Sequence, residues 1–151
     1  MGKTFEITFN NYIRDNQFDR LPNHKGIYLF RVSIRKNNYL ESTIVYIGKA
    51  NGDEGIKGRV NENHEHLVDA RNIVTSEKEK GNNAFLTICY SDSNKKNEDY
   101  LERIEAALIF SRKPLINDKG KDSFNYDETI LNISGSHMYD LEDHYIVPTT
   151  K

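Results

Sequence analysis

Two short runs of β-branched and aromatic residues constrain the fold of this chain more than any other feature. They are residues 27–32 and 43–47, and the polar residues 35–38 separate them. Because β-branched and aromatic side chains favour strands while polar clusters favour turns, the pattern predicts a β-hairpin. Gly26-Ile27-Tyr28 opens the first strand and Tyr46-Ile47-Gly48 closes the second, so each strand carries a tyrosine close to a glycine near one end.

The length of 151 residues predicts a single domain over residues 1–151, large enough to bury a core. Within it we expect a core at about residues 25–118, an N-terminal extension (1–24) and an acidic C-terminal extension (119–151). No apolar run approaches the roughly 18 residues of a membrane-spanning helix, and the N-terminus lacks a signal-peptide pattern. The single cysteine, Cys89, excludes an intramolecular disulfide. We therefore expect a cytoplasmic protein.

Charge is distributed unevenly along the chain. The formal net charge of −2 argues against a strong non-specific binder of nucleic acid. Residues 20–60 nevertheless carry eight Lys and Arg against three acids, whereas residues 127–143 carry five acids and no Lys or Arg. A solvated surface is the simpler explanation of the acidic segment. The basic segment contains both glycine–tyrosine triplets, so a functional role is a stronger alternative for it than for the acidic segment.

Hydrophobic periodicity predicts the other elements. An edge strand at residues 4–9 has Phe5, Ile7 and Phe9 on one face. The expected elements after it are a short helix from residue 10 or 11 to 21, a helix at 57–80, a central strand at 84–90, a helix at 98–112, and strands at 130–133 and 145–147.

Glu105 lies beside the apolar stripe of the clearest predicted helix, next to Ile104 and three residues before Leu108. A carboxylate so close to a buried face needs an ionic partner, a solvated cleft or a metal ion. An ion pair with Arg103 or Arg112 is the structural alternative to a functional role.

Five elements in a fixed order resemble the GIY-YIG nuclease family, including the nuclease subunit of bacterial excision repair and the homing and restriction endonucleases. The resemblance covers about residues 25–118. Its elements are Gly26-Ile27-Tyr28, Tyr46-Ile47-Gly48-Lys49-Ala50, Arg59, Glu105, and Pro114-Leu115-Ile116-Asn117.

The resemblance implies an α+β fold with a central antiparallel three-stranded sheet flanked by helices. It also implies phosphodiester hydrolysis with one divalent ion, Mg²⁺ or Mn²⁺, held by Glu105. By the same resemblance Tyr28 and Tyr46 lie at the active site, Arg59 steadies phosphate charge, and Asn117 lies near the phosphate.

These residue types suit that chemistry. One carboxylate can hold a hard cation when water and phosphate complete its coordination. A tyrosine can deprotonate the attacking water, but its ordinary pKa near 10 is too high, so we expect Lys49 and Arg59 to lower it. We expect Tyr28 to be the base and Tyr46 to orient water or phosphate; the reverse assignment stays open.

One position departs from the family pattern. The family often has a histidine or tyrosine one helical turn after the arginine, where this chain has Asn63. The next residue, His64, is rotated by about 100° on an ideal helix. His64 is therefore either a further site residue or an ordinary surface histidine.

The predicted function is a metal-dependent endonuclease of restriction, phage or mobile-element type. Its expected substrate is double-stranded DNA, with RNA left open, and the oligomeric state, including a homodimer, is also left open. The alternative is a nuclease-like fold that serves as a nucleic-acid-binding or regulatory module with little or no activity.

Overall fold

The computed structural model describes residues 2–10, 12–62, 65–135 and 141–151. Over these residues the chain mixes strands and helices, which confirms the α+β class. The strands are β1 (Lys3–Phe9), β2 (Ile13–Arg14), β3 (Gly26–Arg35), β4 (Leu40–Ala50), β5 (Asn83–Tyr90), β6 (Thr129–Gly135) and β7 (His144–Val147). The α-helices are α1 (Gly55–Asn61), α2 (Glu65–Glu79), α3 (Lys95–Glu98) and α4 (Leu101–Arg112), with a 3-10 helix at Asp15–Arg20. Among the described residues no helix has the length and apolar character needed to cross a membrane.

The central sheet has the strand order β2-β5-β3-β4 and is antiparallel throughout. The predicted hairpin of β3 and β4 is confirmed, and β5 is an internal strand as expected. The sheet has four strands rather than three because the two-residue strand β2 pairs with Thr87 and Ile88 on the outer side of β5.

The N- and C-terminal extensions form a second sheet in the order β1-β6-β7. Strand β1 pairs parallel to β6 over its whole length, from Lys3 and Thr129 to Phe9 and Gly135. Strand β1 is an edge strand that buries Phe5, Ile7 and Phe9, as predicted.

The strands predicted at 130–133 and 145–147 are confirmed as β6 and β7. Their Leu131, Ile133 and Val147 are buried, whereas the described acidic side chains of 127–143 are exposed, as expected for a solvated surface.

Alternation along β3 divides the core between the two faces of the central sheet. Ile27 and Leu29 pack with α4 and the second sheet, whereas Tyr28 and Phe30 pack with α1 and α2. Because successive strand side chains point to opposite faces, this register fixes which hydroxyls and rings approach α1 and α2.

A β-bulge interrupts the hairpin beside the second triplet. The register passes from Phe30–Tyr46 to Arg31–Ile44, so Val45 is an extra residue in β4. Val45 and Tyr46 consequently both pack in the helix-side core, although they are adjacent in sequence. A bulge re-aims side chains in this way because it breaks strict alternation.

The helix predicted at residues 57–80 is instead two helices. Helix α1 ends at Asn61, and Glu62 is extended. The Asn61 side chain donates hydrogen bonds to the carbonyl oxygens of Lys57 (2.9 Å) and Phe18 (3.3 Å). A side chain that bonds the backbone in this way competes with continued helix.

Two other helix boundaries also differ from prediction. The helix expected from residue 10 or 11 to 21 is only the 3-10 helix, because Ile13 joins the sheet edge at β5. Helix α4 begins at Leu101 rather than at residue 98, because α3 precedes it as a separate turn. Asn94 caps α3 by accepting from the Lys96 N–H at 3.0 Å.

Candidate active site

Tyr28 and Tyr46 lie on neighbouring strands and pack together on the helix side of the central sheet. Their ring centroids are 6.1 Å apart, and the Tyr28 hydroxyl donates a hydrogen bond to Tyr46. Tyr28 is completely buried (0% exposed), whereas Tyr46 is 8% exposed and lines a cleft. Of the two tyrosines, therefore, Tyr46 faces the solvent-filled space.

Gly48 makes room for both tyrosines. It is the register partner of Tyr28, and its backbone φ lies in the range open to every residue. A Cβ placed on Gly48 would lie 2.5 Å from Cζ of Tyr28 and 2.8 Å from Cε2 of Tyr46. Glycine is required here because no side chain fits, so the second triplet is needed for the packing of both rings.

Arg59 is positioned by the docking of α1 under β3. The helix begins at Gly55 with φ 66°, where an added Cβ would lie 1.9 Å from the Asn23 carbonyl oxygen. The Ile56 N–H donates to the His24 carbonyl at 3.0 Å, which ties the helix start to the segment before β3. One turn later Arg59 is exposed and faces the same cleft as Tyr46.

Glu105 approaches the cleft from the opposite face of the sheet. Helix α4 packs against Ile27, Leu29 and Ile47, yet Glu105 lines the same cleft as Tyr46. This is possible because β4 is the edge strand, so a side chain from one face can reach round it. The Lys49 backbone N–H donates to the Glu105 carboxylate, and the Lys49 Nζ lies 3.9 Å from Glu105 Oε1.

The cleft has a volume of about 850 Å³ and brings together Tyr46, Lys49, Arg59 and Glu105. These four predicted site residues come from a strand and two helices. A smaller adjoining cleft of about 350 Å³ shares Tyr46 and Glu105 and adds Asn117. Lys119 lines both clefts and was not expected at the site, because it belongs to a polar Lys-Gly-Lys loop with no evident pattern.

Burial dominates the ionisation of the tyrosines. The pKa of Tyr28 is raised by burial and then by the neighbouring Tyr46. The pKa of Tyr46 is raised by burial and then by the charge of Glu105, while Arg59 and the hydrogen bond from Tyr28 oppose the rise. The predicted lowering of the tyrosine pKa was therefore wrong: Arg59 acts in the expected direction, but burial outweighs it.

The Glu105 carboxyl also has a raised pKa, because burial outweighs the favourable charges of Lys49 and Arg59. A half-buried carboxylate that faces a polar cleft is a suitable ligand for Mg²⁺ or Mn²⁺, since water and phosphate can fill the other positions. Among the described residues no group of three or more His, Cys, Asp or Glu side chains could hold a metal ion. Asp53, Glu54 and Glu62 line the same cleft, so a hard cation held by Glu105 would lie in a cleft with several carboxylates.

Asn117 is buried, and both ends of its amide bind the backbone of β4. The Ile47 N–H donates to Oδ1 at 2.9 Å, and Nδ2 donates to the Ile47 carbonyl at 3.0 Å. Asn117 therefore positions the strand between Tyr46 and Gly48, in addition to lining the smaller cleft.

His66 is the second site residue that the sequence did not predict. Its ring stacks on Tyr46 with centroids 4.4 Å apart and an interplanar angle of 20°. It reaches Tyr46 from the first turn of α2. The other candidate histidine, His64, lies outside the described residues.

Comparison with known proteins gives no further guide. No family model, curated protein or solved structure matches the chain. What the chain does must therefore be inferred from its residues and their geometry.

Proposed function

We propose that this chain is a divalent-metal-dependent endonuclease of the GIY-YIG type that hydrolyses phosphodiester bonds in DNA. The observation that carries the proposal is the convergence of Tyr46, Arg59 and Glu105 on one cleft. They come from an edge strand and from helices on opposite faces of the sheet. Packing alone does not require a carboxylate, an arginine and a phenol to meet in this way, whereas hydrolysis of a phosphodiester at one metal ion can use all three.

Each group has a role that its surroundings support. Glu105 would hold Mg²⁺ or Mn²⁺, which when bound neutralises charge on the phosphate and on the leaving oxygen. The planar guanidinium of Arg59 binds two phosphate oxygens with matched geometry. Lys49 favours the ionised form of Glu105 through both its backbone N–H and its ammonium group.

Tyr46 is the better general base of the two tyrosines, because it lines the cleft while Tyr28 is fully buried. Its phenolate takes the proton of the attacking water. Tyr28 stabilises that phenolate by donating a hydrogen bond to it, and the stacked ring of His66 holds Tyr46 in place. These roles reverse the assignment expected from sequence, in which Tyr28 was the base.

The ionisation of Tyr46 supports a second candidate function. The raised pKa of Tyr46 leaves little phenolate at neutral pH in the absence of a metal ion. This favours, as the alternative, a nucleic-acid-binding or regulatory module with little activity.

Plasmid cleavage tests the first function against the second. Supercoiled plasmid and single-stranded RNA are incubated with the protein in Mg²⁺, in Mn²⁺ and in chelator. The Glu105→Ala variant is compared with Glu79→Ala, a control at an exposed glutamate of α2. We expect metal-dependent nicking that Glu105→Ala abolishes and Glu79→Ala retains.

Cleavage that persists in chelator or in Glu105→Ala would contradict the proposal. Intact protein that cleaves no substrate but binds nucleic acid would support the binding module. Glu105→Gln keeps the side-chain volume and guards against loss of activity through misfolding.

A further inference from the structure

The segment that follows α4 concentrates positive charge at the site. Residues 112–121, which we call the rim segment, contain four Lys or Arg and one acid, a net charge of +3 in a chain whose total is −2. Leu115, in the middle of this segment, is 71% exposed, the highest value among the large hydrophobic side chains that the structure describes as exposed. An apolar side chain thus projects from a cationic surface.

Leu115 is not at the end of a loose loop. Pro114 before it is buried, and the Ile116 N–H after it donates to the Val45 carbonyl at 2.9 Å. Asn117 then binds the Ile47 backbone at both of its polar atoms. The backbone on both sides of Leu115 is therefore held by the core and by β4, so little conformational entropy remains to be lost on binding.

Two lysines of the rim segment also hold its backbone by hydrogen bonds to carbonyl oxygens. The Lys121 Nζ donates to the Leu115 carbonyl at 3.4 Å, and the Lys113 Nζ donates to the Phe110 carbonyl at 2.9 Å. Lys119 is exposed and lines both clefts together with Tyr46 and Glu105. Residues 117–119 of the rim segment therefore line the candidate site, and a ligand in the clefts would lie against them. Leu115 lines neither cleft and is exposed two positions before Asn117.

We propose that the rim segment is a nucleic-acid contact surface, in which Lys119 binds a backbone phosphate and Leu115 makes apolar contact with adjacent sugars and bases. The choice of nucleic acid rests on the proposed function and on charge complementarity, because polyanionic backbones attract clustered Lys and Arg. Proteins that bind in the minor groove often place an apolar side chain among such cations, where it contacts or separates bases. An acidic protein surface would satisfy the lysines but would leave Leu115 in contact with charge.

Equilibrium binding separates the two contacts. Binding of a short fluorescent DNA duplex to full-length protein is measured by anisotropy at several salt concentrations. Every protein in this assay also carries the Glu105→Gln substitution, so that no cleavage occurs. We expect Lys119→Ala to reduce the slope of log affinity against log salt by about 1. Leu115→Ala should weaken binding about tenfold with an unchanged salt slope, since an apolar contact releases no counterion. Ile146→Ala, at a 58% exposed apolar residue of β7, is the matched control and should bind normally.

Equal affinities of Leu115→Ala and Ile146→Ala, with an unchanged slope for Lys119→Ala, would overturn the inference. So would a Leu115→Ala variant that binds DNA normally but changes its sedimentation, since Leu115 would then contact a second copy of the chain. The nuclease proposal can fail separately from this one. If DNA binding depends on Leu115 but the protein with Glu105 intact cleaves no substrate, the contact surface is supported and the nuclease is refuted. If the protein cleaves DNA but its affinity is unchanged in both Leu115→Ala and Lys119→Ala, the nuclease is supported and the contact surface is refuted.

Discussion

The Asn117 side chain takes the place of a neighbouring strand beside Ile47 of the edge strand β4. Its amide accepts from the Ile47 N–H at 2.9 Å and donates to the Ile47 carbonyl at 3.0 Å, the same pair of bonds that another strand would supply. The contact is buried, so water does not replace it readily. Ile47 lies between Tyr46 and Gly48, and the amide therefore stabilises the part of β4 that carries the candidate base.

Asn117→Ala should reduce stability and activity together. It leaves two buried backbone groups of Ile47 unbonded, at about 1–3 kcal/mol for each. In a protein of this size each kcal/mol lowers the melting temperature by roughly 2–4 °C. Thermal unfolding of this variant is compared with Asn72→Ala, an exposed position on α2. An Asn117→Ala variant that melts with the wild type would show that the amide does not support β4.

Substitution of each tyrosine by phenylalanine should distinguish their roles. Tyr46→Phe removes the proposed base, and we expect single-turnover cleavage to slow by at least about 100-fold. Tyr28→Phe removes only a hydrogen bond to that base, and roughly tenfold is expected. Both variants keep their rings in the core, so folding should be little affected. A larger defect in Tyr28→Phe than in Tyr46→Phe would restore Tyr28 as the base.

The pH dependence of cleavage follows from the raised pKa of Tyr46. The active form of a base is deprotonated, so the rate should rise with pH throughout the range below the pKa of Tyr46. The hydrogen bond from Tyr28 lowers that pKa, and therefore Tyr28→Phe should move the rising limb to higher pH. Cleavage rates of both proteins across neutral and alkaline pH test this. Superimposable profiles would argue against the hydrogen bond.

Gly48→Ala should disturb both tyrosines at once. The new Cβ would lie 2.5 Å from Tyr28 and 2.8 Å from Tyr46, and overpacking of this kind costs about 1–3 kcal/mol. Gly52→Ala is a suitable control for stability, because an added Cβ there meets no atom within 4 Å. Chemical denaturation of both variants measures the difference. If Gly48→Ala is as stable as Gly52→Ala, the two tyrosine rings are not packed tightly against Gly48.

Glu105→Gln should raise the melting temperature of metal-free protein at neutral pH. The folded-state pKa of Glu105 lies above its unfolded value, so its ionisation opposes folding as pH rises through that range. The gain should disappear in acid, below the ordinary glutamate pKa, where the carboxyl is protonated in both states. Mg²⁺ or Mn²⁺ should stabilise the wild type but not the variant, because only a bound ion shifts unfolding by mass action. Equal stabilisation of both proteins by the ion would exclude Glu105 as its ligand.

Local patterns in the sequence were sufficient for the hairpin, for β5 and for the apolar stripe of α4. Each depends on side-chain periodicity and turn residues within one segment, and the structure confirms each of them. The burial of Phe5, Ile7 and Phe9 follows in the same way from alternation along β1. The position of Glu105 beside an apolar stripe indicated that it needs a partner, a cleft or a metal ion, whereas the other candidate site residues were predicted only from the family resemblance.

Local sequence patterns could not predict contacts between residues that are far apart in the chain. Strand β1 pairs with β6 at a separation of 126 residues, as at Lys3 and Thr129, and no short-range signal specifies such a pair. The break after Asn61 depends partly on its hydrogen bond to the Phe18 carbonyl, which lies on another element. The stacking of His66 on Tyr46 joins a helix and a strand that are 20 residues apart in the chain, and no local pattern specifies that contact.

The sequence by itself determined which chemical groups this protein has and that a hairpin would carry two tyrosines beside glycines. Only the tertiary structure decided which tyrosine faces the cleft. That choice depends on the bulge at Val45, on the absent side chain of Gly48 and on α4 reaching round the edge strand with Glu105. Exposure and ionisation are properties of the packed assembly, because the same phenol has a different pKa when buried, hydrogen-bonded or placed beside a carboxylate.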